Sequence, residues 1–133
     1  MARAMAPDRF FLATSGVLGF LGVALGAFGA HGLRSRLEAL PDFVRRMEWW
    51  ETAARYQLVH AVAIGLVALL LARADSTATR VAGGAFAVGV LLFSGSLYAM
   101  TLTGLRGLGA VTPLGGVAFL VGWGALAWSA LSR

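Results

Sequence analysis

Four long apolar segments, separated by short polar stretches, set the pattern of this chain. They cover about residues 10–30, 52–72, 81–105 and 110–131, and Arg55 is the one charged residue inside them. Each is long enough to cross a hydrocarbon core of about 30 Å at about 1.5 Å per residue. None has the continuous polar face that a helix of a soluble bundle needs. The pattern predicts a single all-α integral membrane domain, a small bundle of four transmembrane helices.

The first apolar segment also has to be compared with a secretory signal peptide, because it follows a basic N-terminal stretch. Its apolar run exceeds the usual length of about 7–15 residues in such a peptide. We therefore expect it to remain as the first span. Four spans would place both termini on the same side of the membrane.

Residues 34–51, between the first two segments, form the one substantially polar stretch. Pro41 followed by Asp42 is typical of a helix start. Beyond them, apolar side chains fall on one helical face and charged side chains on the other. Trp49 and Trp50 suit the level of the membrane interface. The stretch predicts an amphipathic interfacial helix that leads into the second span directly or through a bend, with a solvated loop as the alternative.

Composition supports a membrane protein. The chain has 133 residues, of which 59% are hydrophobic and 13% charged, whereas soluble domains average about 45–50% and about 25%. It has no cysteine, which excludes disulfides and thiolate metal sites. The net charge of +5 comes from arginines spread over the polar gaps, so the expected partners are membrane lipids and not nucleic acid. These arginines are divided almost evenly between the two sides, so they do not decide the orientation.

Glycines recur along the first apolar segment at spacings of three and four, so they share one stripe of a helix. A glycine costs about 1 kcal/mol relative to alanine in a water-exposed helix. In lipid, small residues have the advantage that they let a second helix approach closely. We therefore predict that helix packing uses glycines of the first and fourth segments, namely Gly16, Gly19, Gly22, Gly26, Gly29, Gly115 and Gly116.

The start of the second segment is the most polar part of any span. Glu51 and Arg55 are four residues apart in the favourable order, and Tyr56 and Gln57 share a helical face with His60. A histidine about two turns inside a span is costly unless it faces other helices. The predicted polar cluster is His31, Glu51, Arg55, Tyr56, Gln57 and His60. It would handle protons or bind a ligand, or, in the interpretation that we favour, form interhelical hydrogen bonds that fix packing.

Other polar residues point to no chemistry. Ser94, Tyr98 and Thr101 share one stripe of the third segment, and we expect such hydroxyls to bond to carbonyls of their own helix. The two histidines lack the spacing of a metal-binding motif. No metal, cofactor or catalytic residue is therefore predicted.

Four motifs in order carry a resemblance to a known family. They are Gly26–Leu33 (GAFGAHGL), Glu51-Thr52-Ala53 with Tyr56-Gln57 and His60-Ala61, Leu92–Tyr98 (LFSGSLY), and Thr112–Gly116 (TPLGG) followed by Gly122-Trp123. The chain resembles the YgdD-like family of small multi-pass membrane proteins, a domain of unknown function (number 423) related to transmembrane protein 256. The resemblance runs from about residue 10 to the C-terminus. It implies an integral inner-membrane protein with about four spans, and it supplies no activity.

Three functions remain as hypotheses at this point. The preferred one is a non-catalytic helix-packing or accessory protein that forms a homo-oligomer or joins a larger membrane-protein complex. The second is a small transporter or channel component that uses a cluster around His31 and His60. The third is a membrane enzyme or a lipid- or quinone-binding protein that uses the same cluster.

Overall fold

The computed structural model describes residues 4–132, which form four helices joined by short connections. All four helices are long and apolar enough to cross a membrane, and no strand occurs in the described residues. The predicted all-α, four-helix class is confirmed. The helices are α1 (Pro7–Leu37), α2 (Phe43–Arg73), α3 (Thr77–Thr103) and α4 (Thr112–Leu131), the last preceded by a 3-10 turn at Arg106–Ala110.

Helix α1 extends beyond the predicted segment 10–30 at both ends. It begins at Pro7, a residue suited to the first turn because its missing N–H would have no helical partner there. Near its other end, the glycine-rich motif does not terminate the helix. Residues Gly29–Leu33 form a π-helical segment, and the chain continues as α-helix over Arg34–Leu37.

Helix α2 contains much of the polar stretch that the sequence predicts as a connection over residues 34–51. The turn between α1 and α2 is restricted to residues 38–42, and α2 then runs unbroken over 31 residues. Its first turns are amphipathic, as predicted, and lead directly into the span. Their apolar side chains Met47 and Trp50 are buried in a cluster with Leu33 of α1. The segment is therefore part of the bundle, because this apolar face packs against other helices.

Local features mark the start, the middle and the end of α3. The Ser76 hydroxyl accepts a hydrogen bond from the Thr79 amide at 3.1 Å and caps α3. A π-helical segment, Val90–Ser94, interrupts α3. Gly104 ends this helix with φ of +73°, a conformation that favours glycine. The predicted segments 81–105 and 110–131 agree with these bounds to within a few residues.

Helix α2 is the centre of the bundle. It packs against α1 on one side and α3 on the other, and α3 packs against α4. Helix α1 is peripheral: 11% of the residues of its most apolar stretch are buried, against 50% for α2. The main core joins all four helices and comprises Phe11, Ala63, Ile64, Val67, Ala68, Leu71, Ala82, Phe86, Val90 and Phe119.

The predicted packing glycines do not all face another helix. A Cβ on Gly22 would lie 2.7 Å from Leu58 Cδ2, and one on Gly29 would overlap the indole of Trp50. Gly26 also faces α2, and Gly115 lies against the backbone of α3. In contrast, a Cβ on Gly16, Gly19 or Gly116 would meet no atom within 4 Å.

The division of the α1 glycines follows from the line along which α1 meets α2. The α1 residues that bond or pack there are Ser15, Leu18, Gly22, Leu25 and Gly29. Their spacings of three and four define one face of the helix. Gly16 and Gly19 each stand one position further along, about 100° around the helix from this line. Gly16 is exposed there, and Gly19 is partly buried at the edge of the contact.

Candidate functional site

Three side chains tie α1 to α2 by donating hydrogen bonds to backbone carbonyls. Two donors lie on α2 and one lies on α1. Gln57 Nε2 donates to the Leu18 carbonyl at 2.9 Å, Trp50 Nε1 donates to the Leu25 carbonyl at 2.8 Å, and Ser15 Oγ donates to the Ala61 carbonyl at 2.8 Å. These bonds set the register of the two helices.

A glycine stands four residues after each accepting carbonyl: Gly22 follows Leu18, Gly29 follows Leu25 and Gly65 follows Ala61. A helical side chain leans toward the N-terminus and covers the preceding turn. Glycine leaves that turn open. The donor occupies the vacated space, since a Cβ on Gly65 would lie 2.9 Å from Ser15 Oγ and one on Gly22 would lie 3.5 Å from Gln57 Cγ. These three glycines therefore expose carbonyls in addition to letting the helices approach.

Gln57 extends this bonding to a third helix. Its Oε1 accepts a hydrogen bond from the Tyr98 hydroxyl of α3 at 2.8 Å, while its Nε2 donates to Leu18 of α1. The Tyr98 ring packs against Trp50 with 4.6 Å between ring centroids. Both ends of the buried amide are thus engaged, and the residue joins α1, α2 and α3.

His60 faces α3 and α4. Its Nδ1 lies 2.7 Å from the Tyr56 carbonyl, and its Nε2 lies 3.1 Å from Trp123 Nε1. A carbonyl only accepts and an indole N–H only donates. These partners assign the neutral tautomer with the proton on Nδ1 and the lone pair on Nε2. A proton added at Nε2 would point at the indole N–H, so the site holds a neutral imidazole.

Aromatic rings enclose this imidazole. Phe119 of α4 stacks on it with 3.6 Å between centroids and 10° between planes. Phe86 of α3 lies at 5.5 Å and Trp123 at 5.9 Å. His60 keeps 4% of its surface exposed. The surroundings fix the ring by packing, and no Asp, Glu or Arg within residues 4–132 forms an ion pair or hydrogen bond with it.

The structure does not bring together the six residues of the predicted polar cluster. His31 is exposed in the π-helical segment of α1, beyond the point where Gly29 meets Trp50. His60 precedes Ala61, which bonds to Ser15. About ten residues of α2 separate these two levels, or about 15 Å along the helix. The two histidines therefore occupy different levels and different faces.

The other residues of the predicted cluster also have separate surroundings. Glu51 and Arg55 are exposed and form no ion pair with each other; the ion pairs within residues 4–132 are Arg46–Asp42 and Arg80–Asp75. They flank a groove of about 310 Å³ between α1 and α2. Tyr56 is 41% exposed, and its ring packs against Phe93 at 4.5 Å.

Sequence reasoning missed two partners of the buried polar groups. It placed Tyr98 on a polar stripe but gave it no partner on another helix, and it gave Trp123 no role. Ser94 likewise bonds across helices, to the Ala53 carbonyl at 2.8 Å, where we expected a bond within its own helix. The Thr101 hydroxyl lies within hydrogen-bond distance of two carbonyls, Leu97 of its own helix at 2.9 Å and Arg46 of α2 at 3.0 Å, so its one proton is shared between them. The shared stripe was the available signal, because a buried row of hydroxyls on one face can serve a neighbouring helix.

The buried polar groups of this site take part in hydrogen bonds that hold the helices together. Within residues 4–132 no group of three or more His, Asp or Glu side chains is placed to hold a metal ion. In the same part of the chain, every buried side-chain nitrogen and oxygen has a hydrogen-bond partner. The arrangement is suited to holding four helices in one register, since its polar atoms are engaged with each other and with backbone carbonyls.

Comparison with known proteins agrees with the motifs and the fold. The model of the family DUF423, described as a protein of unknown function, matches residues 25–116. The chain belongs to this family. The matched part of the DUF423 protein includes Gln57, His60 and Tyr98, whereas Trp123 lies beyond it. No solved structure shows significant similarity to the chain.

Relatives of this DUF423 protein carry names that state a membrane location. The chain is 39% identical over 116 residues to UPF0382 membrane protein YwdK of Bacillus subtilis, covering 86% of this chain and 90% of the relative. It is 42% identical over 116 residues to UPF0382 inner membrane protein YgdD of Escherichia coli K12, covering 87% and 85%. A UPF0382 membrane protein of Haemophilus influenzae is 41% identical over 118 residues, covering 89% and 90%. The protein is a multi-pass membrane protein of a family without an assigned activity, and the resemblance to the YgdD-like family is confirmed.

Proposed function

We propose that this protein is a non-catalytic accessory component of the inner membrane that works by helix association, with a second copy or with a larger membrane-protein complex. The proposal rests on the outer face of α1, the face turned away from α2. Gly16 is exposed on this face and Gly19 lies at its edge, and a Cβ added to either would meet no atom within 4 Å. Packing inside the chain therefore gives no reason for glycine there, whereas association with another helix does.

The interior supports the same proposal. Gln57 and His60 each have both polar atoms of the side chain engaged by neighbouring helices or backbone. A transporter or channel based on His31 and His60 would need the two side chains to share a polar path, and they lie at different levels of the bundle. The buried polar groups thus stabilise the bundle, and the exposed face of α1 is left for a partner.

Site-specific cross-linking tests this function directly, because the chain contains no cysteine. Gly16→Cys places a thiol on the outer face of α1. The matched control is Val62→Cys on α2, where the side chain is 74% exposed. In native membranes under mild oxidant, and with a bifunctional thiol–amine reagent, Gly16→Cys should give a dimer or a defined heterologous adduct that Val62→Cys does not.

Mass measurement complements the cross-linking. The wild-type protein in nanodiscs should be larger than a monomer, or it should co-purify from native membranes with a stoichiometric partner. A strictly monomeric protein, with equal and random cross-linking at positions 16 and 62, would show that the face of α1 is covered by lipid alone. The accessory function would then be wrong.

A further inference from the structure

A groove of about 750 Å³ opens at the end of the bundle where α2 begins and α3 connects to α4. Its positively charged residues are Arg45 and Arg46 of α2 and Arg106 of the connection. Its acidic residues are Asp42 and Glu48. Three guanidinium groups against two carboxylates leave the groove with one net positive charge.

Arg46 is fixed as part of the fold. It is 15% exposed, its Nε donates to Asp42 Oδ1 at 3.0 Å, and its Nη1 donates to the Thr101 carbonyl at 3.1 Å. The Asp42 carboxylate is consequently neutralised by Arg46. Arg45 and Arg106 are exposed, and within residues 4–132 neither has a carboxylate oxygen within 4.0 Å. They are the two cations of the groove that remain available to an anion.

The groove lies at the level of the membrane surface. Charge is absent from α1 over residues 10–33 and from α3 over residues 81–105. The bond between Thr101 and Arg46 places the end of the uncharged part of α3 beside the first turns of α2. The contact between Gly29 and Trp50 does the same for α1. The hydrocarbon core therefore ends near Trp50, and the groove lies in the headgroup region just outside it.

The wall beside the arginines is apolar. Val44 is 67% exposed and Leu40 is 36% exposed, and both line the groove with Pro41. A small inorganic anion would gain nothing from exposed aliphatic side chains. A phospholipid presents a phosphate for guanidinium groups and a glycerol and acyl region for the aliphatic wall.

We propose that this groove binds an anionic phospholipid, with the guanidinium groups of Arg45 and Arg106 on its phosphate and its glycerol end against Val44. Arg46 acts as a positioning residue, because its bonds to Asp42 and Thr101 hold the two walls of the groove together. The net positive charge favours a lipid with an anionic headgroup over a zwitterionic one.

Titration of the full chain with phosphatidylglycerol and with phosphatidylcholine, followed by native mass spectrometry, tests this site. The wild-type protein should retain phosphatidylglycerol in preference. Arg45→Gln and Arg106→Gln should each weaken its binding about fivefold, and the double variant about 25-fold, as expected for single arginines near an anionic membrane surface. Arg9→Gln and Arg73→Gln, at the opposite end of the bundle, are the charge-matched controls and should leave binding unchanged.

Three results would overturn the proposal. The first is equal retention of the two lipids by the wild-type protein. The second is a double variant, folded by circular dichroism, that binds phosphatidylglycerol as the wild type does or weakens no more than the controls. The third is inorganic phosphate that displaces the lipid at millimolar concentration with the same dependence on Arg45 and Arg106, because the site would then be an ion site and not a lipid site.

Discussion

The packing of α1 leaves no room for a methyl group at Gly29. A Cβ at this position would overlap the Cδ1 and Nε1 atoms of the Trp50 indole. The same indole N–H donates to the Leu25 carbonyl at 2.8 Å. Gly29→Ala should therefore displace the ring and break the hydrogen bond together.

The expected cost follows from three contributions. Loss of the hydrogen bond removes about 0.5–1.5 kcal/mol, and forcing a methyl group into filled space costs about 1–3 kcal/mol. The higher helix propensity of alanine offsets up to about 1 kcal/mol of this loss of stability. The free energy of unfolding should consequently fall by about 2 kcal/mol. Gly16→Ala, where a Cβ meets no atom within 4 Å, should change it by about zero or raise it slightly.

Unfolding in mixed micelles of increasing SDS content, followed by circular dichroism, measures this difference. The indole N–H resonance of Trp50 in an ¹⁵N NMR spectrum reports the hydrogen bond itself and should move in Gly29→Ala but not in Gly16→Ala. A Trp50→Phe background provides a double-mutant cycle, since a smaller ring leaves room for the methyl group. In that background Gly29→Ala should cost less.

Equal stability of Gly29→Ala and Gly16→Ala would refute the reasoning. So would a Gly29→Ala cost that stays the same in the Trp50→Phe background, because the loss would then come from α1 alone. Either result would mean that glycine serves something other than the contact with the indole.

Three further predictions use the same unfolding assay. Trp123→Phe removes the donor to His60 Nε2 and should cost about 1–2 kcal/mol; no change would show that the histidine finds another partner. Gly104→Ala places a side chain at φ of +73° and should cost about 1–2 kcal/mol, unless the turn rearranges at no cost. The hydrogen bond from Arg80 lowers the pKa of Asp75 below its ordinary value of 3.8, so this contribution to stability is present above that value and is lost as the pH falls through the folded pKa. Wild type and Asp75→Asn should therefore differ slightly at neutral pH and converge in acid, and a difference that persists there would contradict the ion pair.

The sequence predicted the polar groups of the interior better than their partners. Gln57 and His60 were singled out because polar residues inside a span must face other helices, and both are buried. Their grouping with His31 did not follow from any spacing within one helix. It required the register of α1 against α2, which the bond between Ser15 and Ala61 sets.

The glycines show the same limit. Their spacing in α1 predicted close packing, but spacing does not say toward which side a stripe is turned. Gly22 and Gly29 face α2, while Gly16 points away from it. A second rule connects Gly22, Gly29 and Gly65: each stands four residues after a carbonyl to which the neighbouring helix donates. This rule became visible only with the donors of those hydrogen bonds in place.

The sequence by itself determined four apolar helices and their approximate ends. An apolar run long enough to cross the hydrocarbon core is visible in the sequence without knowledge of any tertiary contact. Tertiary structure decided which side chains meet. The π-helical segment at Gly29–Leu33 keeps α1 helical through a motif that resembles a helix end. His31 therefore stays on the exposed surface of α1 near the end of the helix. The pairing of His60 with Trp123 depends on the rotation of two helices that are distant in sequence. Periodicity along one helix fixes its faces, and only packing fixes which neighbour each face meets.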